Sequence, residues 1–219
     1  MSLKLYFSPG ACSFVPHCLL QVSGLAFEPL MVKLHKGEQH GDAYKAINPR
    51  GQVPVLLDGD QVITQILAIV LYLDQKFPEQ HFLPKEPVAR AHAIETLAWM
   101  NNTVHPTFTH IFMPQKFSDQ TEVQAALKVF NTQLYRGLLA ELDALVKISL
   151  ATQAWLSGDR LGPLDAYALT LTRWGTIAGI EPETYPALWA HVQKIASDQA
   201  VSEVIERERL QLNMLRPKQ

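Results

Sequence analysis

Cys12 sits where a thiol could react. The short apolar run Leu3 to Phe7 ends at Ser8-Pro9-Gly10, and Ser13 then reads as the N-cap of a helix that Gly24 ends. A cysteine between a strand and a helix start lies among unpaired backbone N–H groups and at the positive end of the helix dipole. That setting is expected to lower a thiol pKa and to stabilise its thiolate, or a thiolate placed beside it. Cys18, between His17 and Leu19-Leu20, reads as a small apolar packing residue. Six residues apart on one helix, the two sulfurs face different ways, so no mutual disulfide is expected.

The position three residues after Cys12 holds Val15, so there is no CxxC dithiol, and any redox step of Cys12 would be a mixed disulfide with an external thiol. Neither CxxC nor HExxH occurs, and no metal is expected. Val53-Pro54 is a second candidate. A proline just before a strand, if cis, exposes the neighbouring backbone N–H and C=O, and an extended peptide could pair with Val53 there. Taken alone, His17 and His105 read as core or surface histidines.

These residues need a frame to hold them. Phe27 to Val32 is a second strand, so strand, helix and strand form a βαβ unit. Val53 to Leu57 and Gln61 to Thr64 flank Asp58-Gly59-Asp60 as a hairpin. Gln65 to Phe77 follows as a helix, apolar nearly all round and therefore buried. The order βαβ, intervening loop or helix, ββα is a thioredoxin-like α/β arrangement. Pro78, Pro84 and Pro87 mark a linker. Domain boundaries are therefore expected at 1–78, 79–87 and 88–219. The third part reads as all-α: Ala91 to Val104, Leu164 to Ile177, Pro186 to Ala196 and Ala200 to Leu210. It also holds a long amphipathic helix with an apolar stripe at Val123, Leu127, Phe130, Leu134, Leu138, Leu142 and Leu145.

The 219 residues include 19 Lys and Arg against 21 Asp and Glu, a formal charge of −2, and 47% are hydrophobic. A chain this long and apolar buries a core, which excludes disorder and disulfide miniproteins. It has no basic excess for a nucleic-acid partner. No apolar run reaches signal-peptide or membrane-spanning length, so a cytoplasmic protein without a membrane partner is expected.

Ser8-Pro9-Gly10-Ala11-Cys12-Ser13, His17, Asn48-Pro49-Arg50-Gly51-Gln52-Val53-Pro54, the helix from Gln65, Val104-His105 and Asp165-Ala166-Tyr167 together resemble the bacterial beta-class glutathione transferases. The resemblance runs in order over nearly the whole chain. It implies a thioredoxin-like glutathione-binding domain, a helical C-terminal domain, glutathione as cosubstrate and a homodimer with the site near its interface. It places the catalytic cysteine on Cys12 with Ser13 beside it, hydrogen-bonding histidines on His17 and His105, and a cis-proline on Pro54. Val53 would pair the cysteinyl backbone of glutathione, with Ala11, Gln65 and Ile66 also on the ligand side.

The chain departs from that pattern at the γ-glutamyl grip. The family's acidic residue and small residue become Gln65 and Ile66, which removes a charge partner for the ligand ammonium and a hydroxyl. A charge-assisted hydrogen bond is worth about 1.5–3 kcal/mol, so its loss weakens binding by about one to two decades. Pro106 stands where the family has lysine, Ala98 where it has asparagine, and Gly162 where a Ser or Thr caps the helix carrying Asp165.

Two enzymatic versions follow from the resemblance. Glutathione thiolate is conjugated to small hydrophobic electrophiles against an apolar wall of Phe108, Phe112, Met113 and Trp174, or Cys12 itself reduces glutathionyl mixed disulfides. The altered γ-glutamyl site motivates a third reading, a non-catalytic binding or regulatory scaffold.

Overall fold

The computed structural model describes residues 3–217. Four strands form one mixed sheet: β1 (Leu3–Phe7), β2 (Phe27–Met31), β3 (Val55–Asp58) and β4 (Gln61–Thr64), in the order β2-β1-β3-β4. β1 runs parallel to β2 and antiparallel to β3, with Leu5 opposite Pro29 and Leu56, and β3 pairs antiparallel with β4. The pleat of β1 sends Leu3, Leu5 and Phe7 into the core and leaves Lys4 and Tyr6 half-exposed.

Between β1 and β2 runs α1 (Phe14–Ser23), closed by Gly24 in the left-handed conformation, as its sequence position requires. The short α2 (Asp42–Lys45) fills the stretch before β3. Its Tyr44 packs with Val32 and Val55 as a small cluster, with the Tyr6 and Tyr44 rings edge to face at 5.7 Å. After the hairpin, α3 (Ile66–Lys76) buries Ile66, Ile69, Val70 and Leu73, while Leu67 and Leu71 stay half-buried.

The rest is helical: α4 (Pro87–Trp99), α5 (His105–Phe112), α6 (Thr121–Ser149), α7 (Pro163–Ile177), α8 (Pro186–Ala196) and α9 (Gln199–Glu208). One hydrophobic core runs from β1 and α1 through α7 and α8 to α9. Among the described residues no helix is long and apolar enough to cross a membrane.

Two expectations need correction. The first concerns the apolar stripe of α6. Only its C-terminal half enters the core, through Tyr135, Leu138, Leu139, Leu142 and Val146. Val123, Phe130 and Leu134 lie on the exposed face of α6. The second concerns the helix read as stopping at Val104. Met100–Val104 is a π turn, with the His105 N–H bonded to Met100 O, and the helix resumes as α5. Pro106 explains the turn: it has no N–H, and its ring would collide with a carbonyl four residues back in a regular helix.

Candidate functional site

The loop from β1 to α1 carries Cys12, and two distant helices brace it. The Gly10 N–H donates to Glu208 Oε2 at 2.8 Å, and the Trp174 indole N–H donates to Gly10 O at 2.9 Å. Gly10 has φ +69°, and a Cβ there would stand 2.8 Å from Arg173 Nη1, so only glycine meets both demands. The loop is thus clamped from α7 and α9 before the chain reaches the sulfur.

Cys12 is partly exposed, and its Sγ lies 3.5 Å from Val53 O. The Val53–Pro54 peptide is cis, and it places that carbonyl beside the start of α1. The backbone N–H groups of Cys12 and Ser13 act on the sulfur and favour its anion, as the loop-to-helix position predicts. Desolvation by burial outweighs them and pushes the thiol up to about 12. The expectation of a lowered Cys12 pKa is therefore corrected: below that pH the group is a thiol, a donor to Val53 O. Cys18 is a buried free thiol, as its apolar neighbours suggest.

Ser13 and His17 occupy different roles from those expected. Ser13 is fully buried: its Oγ accepts from Ser8 N at 3.0 Å and lies 3.2 Å from Ser8 O. Its hydroxyl closes the loop, makes no cap bond to α1, and leaves only the backbone N–H to act on the Cys12 sulfur. His17 is fully buried between Phe7 and Phe27, and both ring nitrogens are engaged. Nδ1 is 2.7 Å from Glu208 Oε1, and Nε2 accepts from Arg207 Nη1 at 3.1 Å. Its face of α1 packs against α9, so it ties the two parts of the chain together and has no surface left for a ligand.

Gln65 is exposed at the start of α3, with φ 73° and ψ 132°. A non-glycine residue at positive φ costs about 1–3 kcal/mol and is held only where the surroundings impose it. Ile66 buries its side chain at the first position of α3, where a helix has N–H groups without intrahelical partners. Ala11 closes a turn, donating its N–H to Ser8 O at 3.1 Å.

The C-terminal wall is aromatic. Phe108 stacks on Trp174 at 4.7 Å and on Phe112 at 5.5 Å, both at 14° between planes. Phe108 and Trp174 are buried, Met113 is half-buried, and Phe112 is 58% exposed. A cleft of about 360 Å³ opens beside Phe108, Ile111, Phe112 and Ile177. His105 stands edge-on to Trp174 at 4.7 Å. Burial, with Lys116 adding to it, lowers the His105 pKa to about 4 and keeps the ring neutral. His105 is thus linked to the loop that carries Cys12 through Trp174, whose indole holds Gly10 O.

Sequence reasoning quoted Tyr167 within the Asp165-Ala166-Tyr167 motif without giving it a role, and it missed Glu208. Tyr167 Oη is 2.7 Å from His105 Nδ1, and burial pushes its phenol pKa well up. Its spacing of seven from Trp174 puts both rings on one face of α7, a signal that was there to be used. Glu208 lies in the polar run Glu206 to Arg209, which carries no mark of burial.

A family model for the glutathione S-transferase N-terminal domain matches residues 1–75, and one for the C-terminal domain matches residues 100–199. The chain is 32% identical over 211 residues to the glutathione S-transferase GstA of Escherichia coli O157:H7, covering 95% of this chain and 100% of that one. A sphingomonad glutathione S-transferase complexed with glutathione superposes with TM-score 0.79 at 30% identity, over 95% of this chain and 100% of that one. The bacterial beta-class glutathione S-transferase of Sphingomonas chungbukensis superposes with TM-score 0.78 at 29% identity, over 94% and 98%.

Proposed function

The chain belongs to the glutathione S-transferase family, in its beta-class-like bacterial branch, and from that premise we propose that it conjugates glutathione to small hydrophobic electrophiles, with Cys12 acting as a thiol rather than as the nucleophile. The observation that carries this reading is the 3.5 Å approach of Cys12 Sγ to Val53 O, with the thiol as donor. Glutathione's cysteinyl N–H takes the Val53 carbonyl, which frees the Cys12 S–H to donate to the bound sulfur. A charge-assisted bond of that kind favours the glutathione thiolate over its thiol.

The partial charges at the start of α1 act in the same direction. Ala11 and Val53 border the thiol, while Gln65 and the Ile66 N–H receive the γ-glutamyl end. The electrophile lies against Trp174, Phe108, Phe112 and Met113. The thiolate attacks the electrophilic carbon, an S–C bond forms, and the leaving group departs with its electron pair.

We read residues 79–87 as the linker between a glutathione domain and a helical domain. Phe130, 69% exposed on α6, belongs to a surface that a second copy would cover in a homodimer. Two free cysteines suit a reducing cytoplasm.

The test compares two variants on a chlorinated nitroaromatic acceptor and on a glutathionyl mixed disulfide. Cys12→Ser keeps a donor and retains most of the conjugation, whereas Cys12→Ala loses about ten- to a hundredfold in kcat/KM. Mixed-disulfide reduction as the main activity, abolished in both variants, would make Cys12 the nucleophile. No turnover and no glutathione binding by a folded protein would leave only a scaffold.

A further inference from the structure

The cleft beside Phe112 has two apolar walls and one polar wall. α5 lines it with Phe108 and Phe112 and α7 with Ile177, whereas α6 contributes Lys128 and Thr132. Four residues apart on one helix, the lysine and the threonine share a face, one turn from each other.

Both polar groups lack a partner within the chain. Among the described residues the ion-paired lysines are Lys4, Lys33 and Lys76, and Lys128 has no such contact. The positions three and four away from it on α6 hold Gln124, Ala125, Asn131 and Thr132, so no carboxylate reaches it along the helix. Thr107, Thr109, Thr170 and Thr172 return their hydroxyls to the carbonyl four residues back, at 2.7 to 3.2 Å, and Thr132 does not. Its hydroxyl is therefore left for the cleft.

The cleft is also tied to the thiol loop. Trp174, whose indole N–H holds Gly10 O at 2.9 Å, starts a run of near-parallel rings: Phe108 lies 4.7 Å from it, and Phe112 lies 5.5 Å from Phe108. Ile177 follows Trp174 by three residues, on the same side of α7. The rings thus lead from the loop that carries Cys12 to the cleft that Lys128 borders.

We propose that the electrophile is an amphipathic acid, with a flat apolar body, its reactive carbon at one end and a carboxylate at the other, the carboxylate being held by the Lys128 ammonium and the Thr132 hydroxyl. The assignment rests on the reading that this protein conjugates glutathione, and it adds the class of acceptor. The glutathione thiolate bonds the reactive carbon, the leaving group departs with its electron pair, and Lys128 takes no part in that exchange. The rings take the apolar body out of water, and the ammonium at the mouth of the cleft attracts an anion while giving a neutral acceptor nothing. Lys128 is exposed, so water screens the attraction and the preference is modest, about two- to fivefold.

The test uses two chloronitrobenzamides that differ in charge. In one the amide nitrogen carries γ-aminobutyrate with its free carboxylate, and in the other the same chain ends in a methyl amide. The quantity read is the ratio of their kcat/KM values with glutathione. The wild type is expected to prefer the acid about two- to fivefold at low ionic strength, and less as salt is added. Lys128→Met keeps an unbranched stem and removes the charge, so the ratio is expected to fall to about one, and Lys128→Glu takes it lower still. Thr132→Val lowers it in part.

A wild-type ratio at or below unity at low salt would overturn the inference, as would a ratio unchanged in folded Lys128→Met. Binding decides the matter where turnover fails. The unreactive analogue of the acid, with hydrogen in place of chlorine, is titrated calorimetrically into wild type and Lys128→Met, and the variant is expected to bind it about two- to fivefold more weakly. No turnover of either acceptor, with that difference in binding intact, would sink the glutathione reading and leave the acid site standing. Equal binding by both proteins would overturn the acid site.

Discussion

The most informative residue is pulled two ways. Cys12 stands where the backbone favours an anion, yet burial keeps its proton on, with a pKa near 12. A chain position can forecast the N–H groups at a helix start, because they are local. It cannot forecast desolvation, which depends on what the rest of the molecule packs around the sulfur. Cys12, Val53 and Pro54 were legible as a set for that local reason, while Ser13 and His17 were placed on the ligand by resemblance and turn out to be engaged inside the protein.

Gln65 is the residue at which the proposed glutathione site lacks the charge the family resemblance implies. It is exposed, held at positive φ at the start of α3, and uncharged. Gln65→Glu restores a carboxylate against the γ-glutamyl ammonium and is expected to tighten glutathione about tenfold or more, read by calorimetric titration. An unchanged dissociation constant would show that the ligand does not reach this position.

Among the elements, α7 shows how a local rule is met from elsewhere. Gly162 at its N-cap has no hydroxyl, and a Cβ there would lie 2.7 Å from Ser157 Oγ. Ser157 supplies the missing bond from the preceding loop, its Oγ accepting from Leu164 N at 3.1 Å. Asp165 completes the cap by accepting from Gly162 N at 3.0 Å, Leu156 N at 2.8 Å and Ser157 N at 3.2 Å.

Ser157→Ala is therefore expected to cost about 1 kcal/mol of unfolding free energy, the usual loss for an N-cap, measured by urea melts. Gly162→Ser on that background is expected to recover none of the loss, because the Cβ retained at position 157 would still stand 2.7 Å from the new Cβ. Most elements were legible because their signals are short-range: the apolar run of β1, glycine after α1, the Asp58-Gly59-Asp60 turn, proline at the start of α8; α4 starts at Pro87, four residues before the expected Ala91. The π turn was not. Pro106 announces a break, but whether a helix ends or absorbs the break depends on neighbours that hold α5 in line.

Over the whole molecule, Glu208 joins what the sequence keeps 198 positions apart. One of its oxygens meets His17 on α1, the other accepts from the Gly10 N–H, and the side chain is fully buried. Removing one partner from such a buried pair leaves the other unpaired. Glu208→Ala is thus expected to cost about 3–5 kcal/mol and to lower the melting temperature well beyond the effect of a surface substitution. Melting at the wild-type temperature would show that the clamp on the loop is not structural.

The clamp was illegible in sequence because burial of α9 is decided by its docking on α1, not by its own composition. It matters for chemistry because it fixes the loop that carries Cys12. The most direct test of that chemistry is the ultraviolet thiolate band of glutathione bound to wild type and to Cys12→Ala, followed against pH. The account predicts a bound thiol that ionises below the free-thiol value of about 8.5, and about one to two units higher once the Cys12 donor is gone. Ionisation of bound glutathione at its free value in both proteins, or a band in unliganded wild type that vanishes in the variant, would contradict it.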